Sequence, residues 1–197
     1  MIAWVSLVRY DVLLGWLIRF HLDRNDLKMT VFQLQATQLQ QIQNHAERTY
    51  PEECCGLLLG QVKRDSPEVK VLIEVWETAN AWDSQLAETT ETFTPEESGR
   101  SLTKSRRYWI DPKDLLNAQR SARDRGLDII GIYHSHPDHP AVPSECDRTL
   151  AWAGYSYMIV SVQQGTAQDT RSWQLNESHQ FHAETLQLIL PQSQLPT

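Results

Sequence analysis

Cysteine is scarce in this chain: there are three, and two of them, Cys54 and Cys55, are adjacent. An odd and small number of cysteines does not build a disulfide framework, and no Cys-X-X-Cys pair is present to hold a metal through thiolates. Such usage is typical of a reducing compartment, so we expect a cytoplasmic protein. We interpret the cysteines, including Cys146, as packing residues.

Positive charge is also scarce. The chain has 18 Lys and Arg against 25 Asp and Glu, a formal net charge of -7 at pH 7. The one basic cluster, 104–107, is predicted to be a solvent-exposed loop before a strand. Because no basic face large enough to neutralise several phosphates is evident, we expect no nucleic-acid partner.

Long apolar runs are missing as well. Residues 1–28 hold many apolar side chains, but Arg9, Asp11 and Arg19 interrupt them. We therefore expect no transmembrane helix, which needs about 20 apolar residues, and no signal peptide, which would not carry charges in its apolar part. This N-terminal extension is an interfacial amphipathic helix, a packed accessory helix or sequence before a true start at Met29, and we favour the last.

The remainder is predicted to be one domain over 29–190 with a tail at 191–197, because strand-like and helix-like patterns alternate as in an α/β fold. The polar stretch 79–105 has no sustained period and predicts a long mobile loop. Helices are predicted after Thr37, Asp111 and Ser144, with a last helical turn at 184–190. Short apolar runs predict strands at 31–34, 54–59, 69–75, 106–110, 127–133, 155–162 and 171–175.

Two histidines follow the apolar strand 127–133. His134 and His136 are two residues apart, and side chains alternate along a strand, so both face the same way. Two imidazoles on one face can converge on a single cation. This spacing predicts a metal site.

A third ligand is expected nearby, since a catalytic zinc usually has three protein ligands and one open position. Asp147 is the leading candidate, because Pro140 and Pro143 stiffen a loop that can return it to the histidines. The same residues also read as a capping box, with Ser144 at the N-cap and Asp147 three residues later, which requires no metal. The residues alone leave both interpretations open.

The pattern His134-X-His136, seven residues, Ser144, two residues, Asp147 resembles the JAMM motif of the MPN-plus metallopeptidases. That family also has an upstream glutamate in a segment similar to 50–60 here, and the matching residue is Glu53. The resemblance covers roughly 31–190. It implies a curved mixed β-sheet flanked by helices, in a deaminase-like three-layer arrangement.

The resemblance also implies a site and a reaction. Zn²⁺ would be held by His134, His136 and Asp147, with Glu53 as general base and Ser144 donating to the oxyanion. The segment around Glu53 looks more like bacterial stand-alone members than eukaryotic deubiquitinase subunits. The implied activity is hydrolysis of a peptide or isopeptide bond at the C-terminal tail of a ubiquitin-like sulfur-carrier protein. The oligomeric state is not implied.

Three alternatives differ in what the histidines do. His134 to His139 also spells His-X-His-X-Asp-His, the two-metal signature of metallo-β-lactamase-like hydrolases, but only His179 and His182 follow it, where that fold needs further histidine and aspartate ligands. The others are a non-catalytic MPN scaffold and a zinc-dependent interaction module. Scaffold relatives usually lack some of the five site residues, so an intact set favours the enzyme.

Overall fold

The computed structural model describes residues 30–83, 103–176 and 178–191. These ranges hold seven strands and three helices. The strands are β1 (Val31–Gln35), β2 (Cys55–Lys63), β3 (Ser66–Thr78), β4 (Asp128–Pro137), β5 (Ser156–Gln163), β6 (Thr166–Leu175) and β7 (Phe181–Ile189). The helices are α1 (Ala36–Thr49), α2 (Pro112–Asp124) and α3 (Glu145–Leu150).

All seven strands form one sheet in the order β1-β3-β2-β4-β5-β6-β7, and β1 also pairs with β7, so the sheet closes on itself. The pairs β1/β3, β1/β7 and β4/β5 are parallel, and the other pairs are antiparallel. The predicted mixed sheet with flanking helices is confirmed. Its curvature continues to full closure, which leaves no unpaired edge strand in the barrel.

The main core lies between α1 and one face of the sheet. Ile42 and Ala46 of α1 are fully buried against side chains from most of the strands, among them Phe32, Leu58, Leu72, Tyr133, Met158 and Val160. Leu57 and Leu59 alternate with Leu58 and are equally buried, so they face the opposite side. There α2 contacts β2 and β4. Burial on both faces explains why 57–59 is a continuous apolar run.

Gly60 marks a close approach within the sheet. A Cβ at this position would lie 2.1 Å from the Val71 carbonyl oxygen and 2.7 Å from the Ile130 Cδ1 atom. The β2/β3 register shifts between Leu59 and Gly60, as at a β-bulge. Glycine is required here because there is no room for a Cβ atom, and not because the chain turns.

Two predicted elements are wrong. Residues 184–190 are not helical but belong mostly to β7, where backbone pairing with β6 and β1 decides the conformation. Residues 106–110 form no strand, because backbone groups in this segment form hydrogen bonds with the Asn80 side chain instead of with a neighbouring strand. Helix α1 begins at Ala36 with a Gln35 and Gln38 capping box, so its N-cap lies two residues before the predicted Thr37.

Some predictions lie outside the described residues. These include the extension 1–28, residues 84–102 of the predicted loop and nearly all of the tail. Within the described ranges, no helix is long and apolar enough to cross a membrane.

We predict that Gly60→Ala destabilises the fold by at least about 2 kcal/mol, because the new methyl group meets a backbone oxygen that cannot move aside. Urea unfolding monitored by circular dichroism measures this. Lys63→Ala, an exposed position near the end of the same strand, is the control and should change stability by less than about 0.5 kcal/mol. Equal stability of the two variants would contradict the steric account.

Candidate metal centre

Strand β4 carries both predicted histidines to one point. His134 is fully buried and His136 is 8% exposed, and their Nε2 atoms are 3.1 Å apart. The His136 Nδ1–H donates to the Pro140 carbonyl oxygen at 2.8 Å. Since a carbonyl can only accept, the proton of a neutral His136 sits on Nδ1 and its Nε2 lone pair is free for a cation.

Asp147 completes the group. Its Oδ1 lies 3.3 Å from His134 Nε2, and its Oδ2 lies 3.6 Å from His136 Nε2. The capping box is present too: Ser144 N donates to Asp147 Oδ2 at 2.6 Å, and Asp147 N donates to Ser144 Oγ at 3.1 Å. The two interpretations of Asp147 are therefore compatible, because the cap is what aims the carboxylate at the histidines.

The donor set fits zinc. The three residues each offer one ligand atom, all within 4.8 Å of one another. Tetrahedral ligands about 2 Å from zinc lie about 3.3 Å from each other, and the three observed separations scatter around that value. Two imidazole nitrogens and one carboxylate leave the fourth position open, as in catalytic zinc sites.

Electrostatics favour the ligand forms of His134 and Asp147, but not that of His136. Burial lowers the pKa of His134, which keeps its imidazole neutral. Burial alone would raise the pKa of Asp147, but the neighbouring His134 and His136 lower it well below its usual range. For His136, burial is outweighed by the hydrogen bond to Asp147, which raises its pKa. The ionised aspartate is thus present before any cation binds.

Glu53 reaches the site through strand pairing. Cys55 at the start of β2 is opposite His134 in β4. Just before it, Cys54 N donates to Ser135 Oγ at 2.8 Å, and Ser135 N donates to Cys54 O at 3.2 Å. Ser135, between the two histidines and fully buried, therefore fixes the approach of the preceding glutamate. Burial raises the pKa of Glu53 to about 8.

The segment 103–110 forms another wall. Tyr108 stacks on His134 with ring centroids 4.5 Å apart. His134 Nδ1 has no hydrogen-bond partner among the described residues. The ring is therefore oriented by this stacking together with the contacts of its Nε2 atom. Burial raises the Tyr108 pKa well above its usual value, so the phenol stays neutral.

Asn80 ties this wall to Glu53. Its Nδ2 donates to the carbonyl oxygens of Glu53 at 3.0 Å and Arg107 at 2.9 Å. Its Oδ1 accepts from the backbone N–H of Trp82 at 3.0 Å and of Trp109 at 3.2 Å. One side chain thus connects three chain segments. The sequence analysis did not select Asn80 or Tyr108. Asn80 was a single asparagine in a predicted loop and Tyr108 was part of a predicted strand, so neither pattern indicated a role at the site.

Four of the five predicted site residues, Glu53, His136, Ser144 and Asp147, line one cavity of about 440 Å³. The fifth, His134, is fully buried and contacts His136 and Asp147. Ser144 is solvent-exposed at the N-cap of α3, so its hydroxyl is accessible. The structure therefore brings together every residue that the sequence analysis selected.

Asp138 and His139 do not join the metal cluster. Asp138 accepts from Gln164 N at 2.9 Å and from the Tyr50 hydroxyl at 3.0 Å, which fixes the loop after β4. His139 is exposed, and its carbonyl oxygen accepts from the Ser161 hydroxyl at 2.7 Å. The group of possible ligands in the described part of the chain is His134, His136 and Asp147, which is a one-metal arrangement.

Two solved structures have the same fold. A protein of Desulfitobacterium hafniense aligns with a TM-score of 0.62 at 23% identity, covering 81% of this chain and 93% of its own. A protein of Salinibacter ruber aligns with a TM-score of 0.55 at 32% identity, covering 86% of this chain and 95% of its own.

Curated relatives match over shorter stretches. A desampylase of Haloferax volcanii is 42% identical over 55 residues, 27% of this chain and 40% of the relative. A probable TtuB-protein conjugate cleaving protease of Thermus thermophilus is 48% identical over 52 residues, 26% of this chain and 35% of the relative. The chain thus spans less than half the length of these two proteins.

A longer alignment reaches a CysO-cysteine peptidase of Mycobacterium bovis, which is 28% identical over 132 residues, covering 66% of this chain and 73% of the relative. The family described as prokaryotic homologs of the JAB domain matches residues 35–176. That match spans more than half of the chain and contains the glutamate, both histidines, the serine and the aspartate of the cavity. The chain therefore belongs to the prokaryotic JAB-domain family.

Proposed function

We propose that this protein is a zinc-dependent hydrolase that cleaves peptide or isopeptide bonds at the C-terminal tail of a ubiquitin-like sulfur-carrier protein. The observation that carries the proposal is the shared cavity. A buried carboxyl group, Glu53, lines the same cavity as His136 and Asp147, and these two form a group with His134 at zinc-ligand separations. We further propose that it works in the cytoplasm, since its three cysteines are buried free thiols.

His134, His136 and Asp147 would hold the zinc. When bound, the ion acts as a Lewis acid that makes water a nucleophile at neutral pH and polarises the scissile carbonyl. The chain supplies the geometry: Ser144 N fixes one oxygen of Asp147, Pro140 O fixes His136, and Tyr108 packs on His134.

Glu53 would move the proton. A carboxyl group with a pKa of about 8 exchanges a proton readily near neutral pH, which suits a group that first accepts and then donates. It takes a proton from the attacking water as the new bond from oxygen to the carbonyl carbon forms. It returns that proton to the nitrogen as the carbon–nitrogen bond breaks. The new carboxylic acid then gives up the second proton of the water to the amine, so the products are a carboxylate and an ammonium group.

Ser144 would stabilise the oxyanion. Its Oγ already accepts a hydrogen bond from Asp147 N, so its own O–H remains available to donate toward the cavity. A donor of this kind contributes about 3 kcal/mol to the transition state.

The substrate is inferred from the relatives and the cavity together. The three curated relatives are named for cleaving ubiquitin-like or sulfur-carrier conjugates. Glycine tails suit a narrow site because they lack side chains and can lie extended toward the metal. The scaffold and interaction-module alternatives are disfavoured by the complete set of Glu53, His134, His136, Ser144 and Asp147.

We predict one zinc per chain, lost in His134→Ala, His136→Ala and Asp147→Ala, because each change removes one of three ligands. Glu53→Gln should keep the zinc but lose about 10²- to 10⁴-fold in turnover, since it removes only proton transfer. Metal analysis of the purified variants and a cleavage assay measure these. His139→Ala is the control for a two-metal site: loss of zinc in this variant, with zinc retained in Asp147→Ala, would contradict the proposal.

The raised pKa of Glu53 predicts that the metal-free protein loses folding stability as the pH rises. Between pH 4.5 and about 8 the unfolded chain ionises Glu53 while the folded chain keeps it protonated, so stability falls as pH rises. Glu53→Gln removes this loss. In urea unfolding with a chelator, the variant should be about 2–4 kcal/mol more stable than wild type at pH 8 and nearly equal at pH 5. Glu52→Gln, a change at the exposed neighbouring residue, is the control and should have the stability of wild type at both pH values. If Glu53→Gln also followed wild type, the buried carboxyl group would be ionised at both pH values and the prediction would be wrong.

We predict that the zinc-loaded enzyme cleaves conjugates of a ubiquitin-like sulfur carrier after its Gly-Gly end and leaves unrelated peptides intact. Product masses from purified conjugates and from a mixture of peptides measure this. The Glu53→Gln variant is the control for contaminating peptidases. Efficient cleavage of ordinary peptides with untouched carrier conjugates would leave a general metallopeptidase and remove the carrier from the proposal.

A further inference from the structure

The loop 138–143, which follows the two histidines, is held at three successive carbonyl groups. The His139 carbonyl oxygen accepts a hydrogen bond from a side chain of β5, and the Ala141 carbonyl oxygen accepts one from a side chain of β6. The carbonyl oxygen between them, that of Pro140, accepts from His136 Nδ1 at 2.8 Å. The hydrogen-bond partner of a candidate metal ligand therefore lies between two anchored peptide groups.

The first anchor is Ser161 of β5. In the parallel pairing of β4 with β5 it is directly beside His136, so the two side chains lie on the same face of the sheet. Ser161 is buried, and its Oγ lies 2.7 Å from the His139 carbonyl oxygen, which can only accept. Gln163 Nε2 donates to Ser161 Oγ at 3.1 Å and to the His139 oxygen at 3.4 Å. The serine hydroxyl therefore accepts from the glutamine and donates to the loop.

The second anchor is Trp173 of β6. Its Nε1–H donates to the Ala141 carbonyl oxygen at 3.1 Å, and its ring packs on a small core of Ala151, Tyr157 and Leu175. Ala141 is buried, so its carbonyl oxygen needs a donor from the protein. An indole N–H can only donate, and here it supplies that hydrogen bond.

Both anchors act on peptide groups next to the Pro140 carbonyl. The peptide group of Ala141 and Val142 gives its oxygen to Trp173 and its N–H to the Pro140 oxygen, at 2.8 Å. On the other side, the His139 carbonyl belongs to the peptide bond that leads into the proline, whose φ angle is fixed by its ring. The direction of the Pro140 carbonyl is consequently set by the two anchored groups on either side of it.

We propose that Ser161 and Trp173 are positioning residues of the metal centre, which anchor the loop so that the Pro140 carbonyl oxygen fixes His136 for metal binding. This inference rests on the zinc site of the proposed function and adds two residues from outside the ligand set. His136 would bind the ion through Nε2, and the hydrogen bond of its Nδ1 sets where that nitrogen points. Loss of such an outer partner typically weakens metal binding by about 10- to 100-fold.

The test measures the zinc affinity of the full chain by competition with a chromogenic chelator. Ser161→Ala and Trp173→Phe each remove one donor to the loop and should weaken zinc binding by about 10-fold. The phenylalanine keeps an aromatic ring in the small core, so the change removes the N–H and little of the packing. Because Gln163 also reaches the His139 oxygen, adding Gln163→Ala to Ser161→Ala should weaken zinc binding further.

Two control variants separate positioning from general destabilisation. Ser172→Ala removes an equally buried hydroxyl, which donates to Glu184 Oε2 at 2.6 Å on the opposite face of β6 from Trp173. Trp152→Phe changes an exposed tryptophan. Both should bind zinc as wild type does, although Ser172→Ala should unfold at a lower urea concentration. Equal loss of zinc affinity in Ser161→Ala and Ser172→Ala would overturn the inference.

A second readout requires no metal. The exchange of the His136 Nδ1 proton with water, followed by nuclear magnetic resonance on protein with isotope-labelled histidine, reports the hydrogen bond to Pro140 directly. It should be faster in Ser161→Ala and Trp173→Phe than in wild type or Ser172→Ala.

The two readouts distinguish failure of the inference from failure of the proposed function. If wild type binds zinc and both loop variants keep its zinc affinity, the inference is wrong and the proposed function stands. If wild type binds no zinc, the proposed function fails. Unchanged proton exchange in the loop variants would then overturn the inference too, whereas faster exchange would support the positioning of His136 by the two anchors.

Discussion

The site depends on the antiparallel pairing of β2 with β4. The register that sets Cys55 opposite His134, with the two hydrogen bonds between Cys54 and Ser135, brings Glu53 to histidines that are about eighty residues further along the chain. A slip of one residue would turn the histidines to the α1 face and Tyr133 out of the core. The core thus enforces the geometry of the site, because Leu58 and Tyr133 can be buried together only in the observed register.

The pKa values of the two carboxyl groups of the cavity are shifted in opposite directions. Asp147 stays ionised because two imidazoles and the Ser144 N–H face it, whereas burial keeps Glu53 protonated up to a pKa of about 8. Because their pKa values shift in opposite directions, Asp147 suits the proposed role of metal ligand and Glu53 suits the proposed role of proton carrier. A bound cation would act against burial and favour ionisation of Glu53, so metal loading would prepare the proposed base.

The sequence predicted the candidate metal ligands better than the residues that form the walls of the site. His134 and His136 follow from strand alternation. For Asp147 the residues left a ligand and a cap both open, and in the structure the cap aims its carboxylate at the histidines. Glu53 needed the family pattern, since the residues alone could not separate it from Glu52. Asn80 and Tyr108 could not be found, because their roles exist only where distant segments meet. The strand β7 was mistaken for a helical turn for a similar reason: its pairing with β1 joins the two ends of the described fold.

Asn80 couples the position of Glu53, the proposed proton carrier, to the position of the cavity wall. The same amide holds the backbone of Glu53 and of Arg107, and its oxygen holds Trp109 on the other side of Tyr108. A change in the 103–110 segment therefore moves the ring that packs on His134 and the carboxyl group opposite it together. The position of this wall and the proposed proton transfer by Glu53 therefore cannot vary independently.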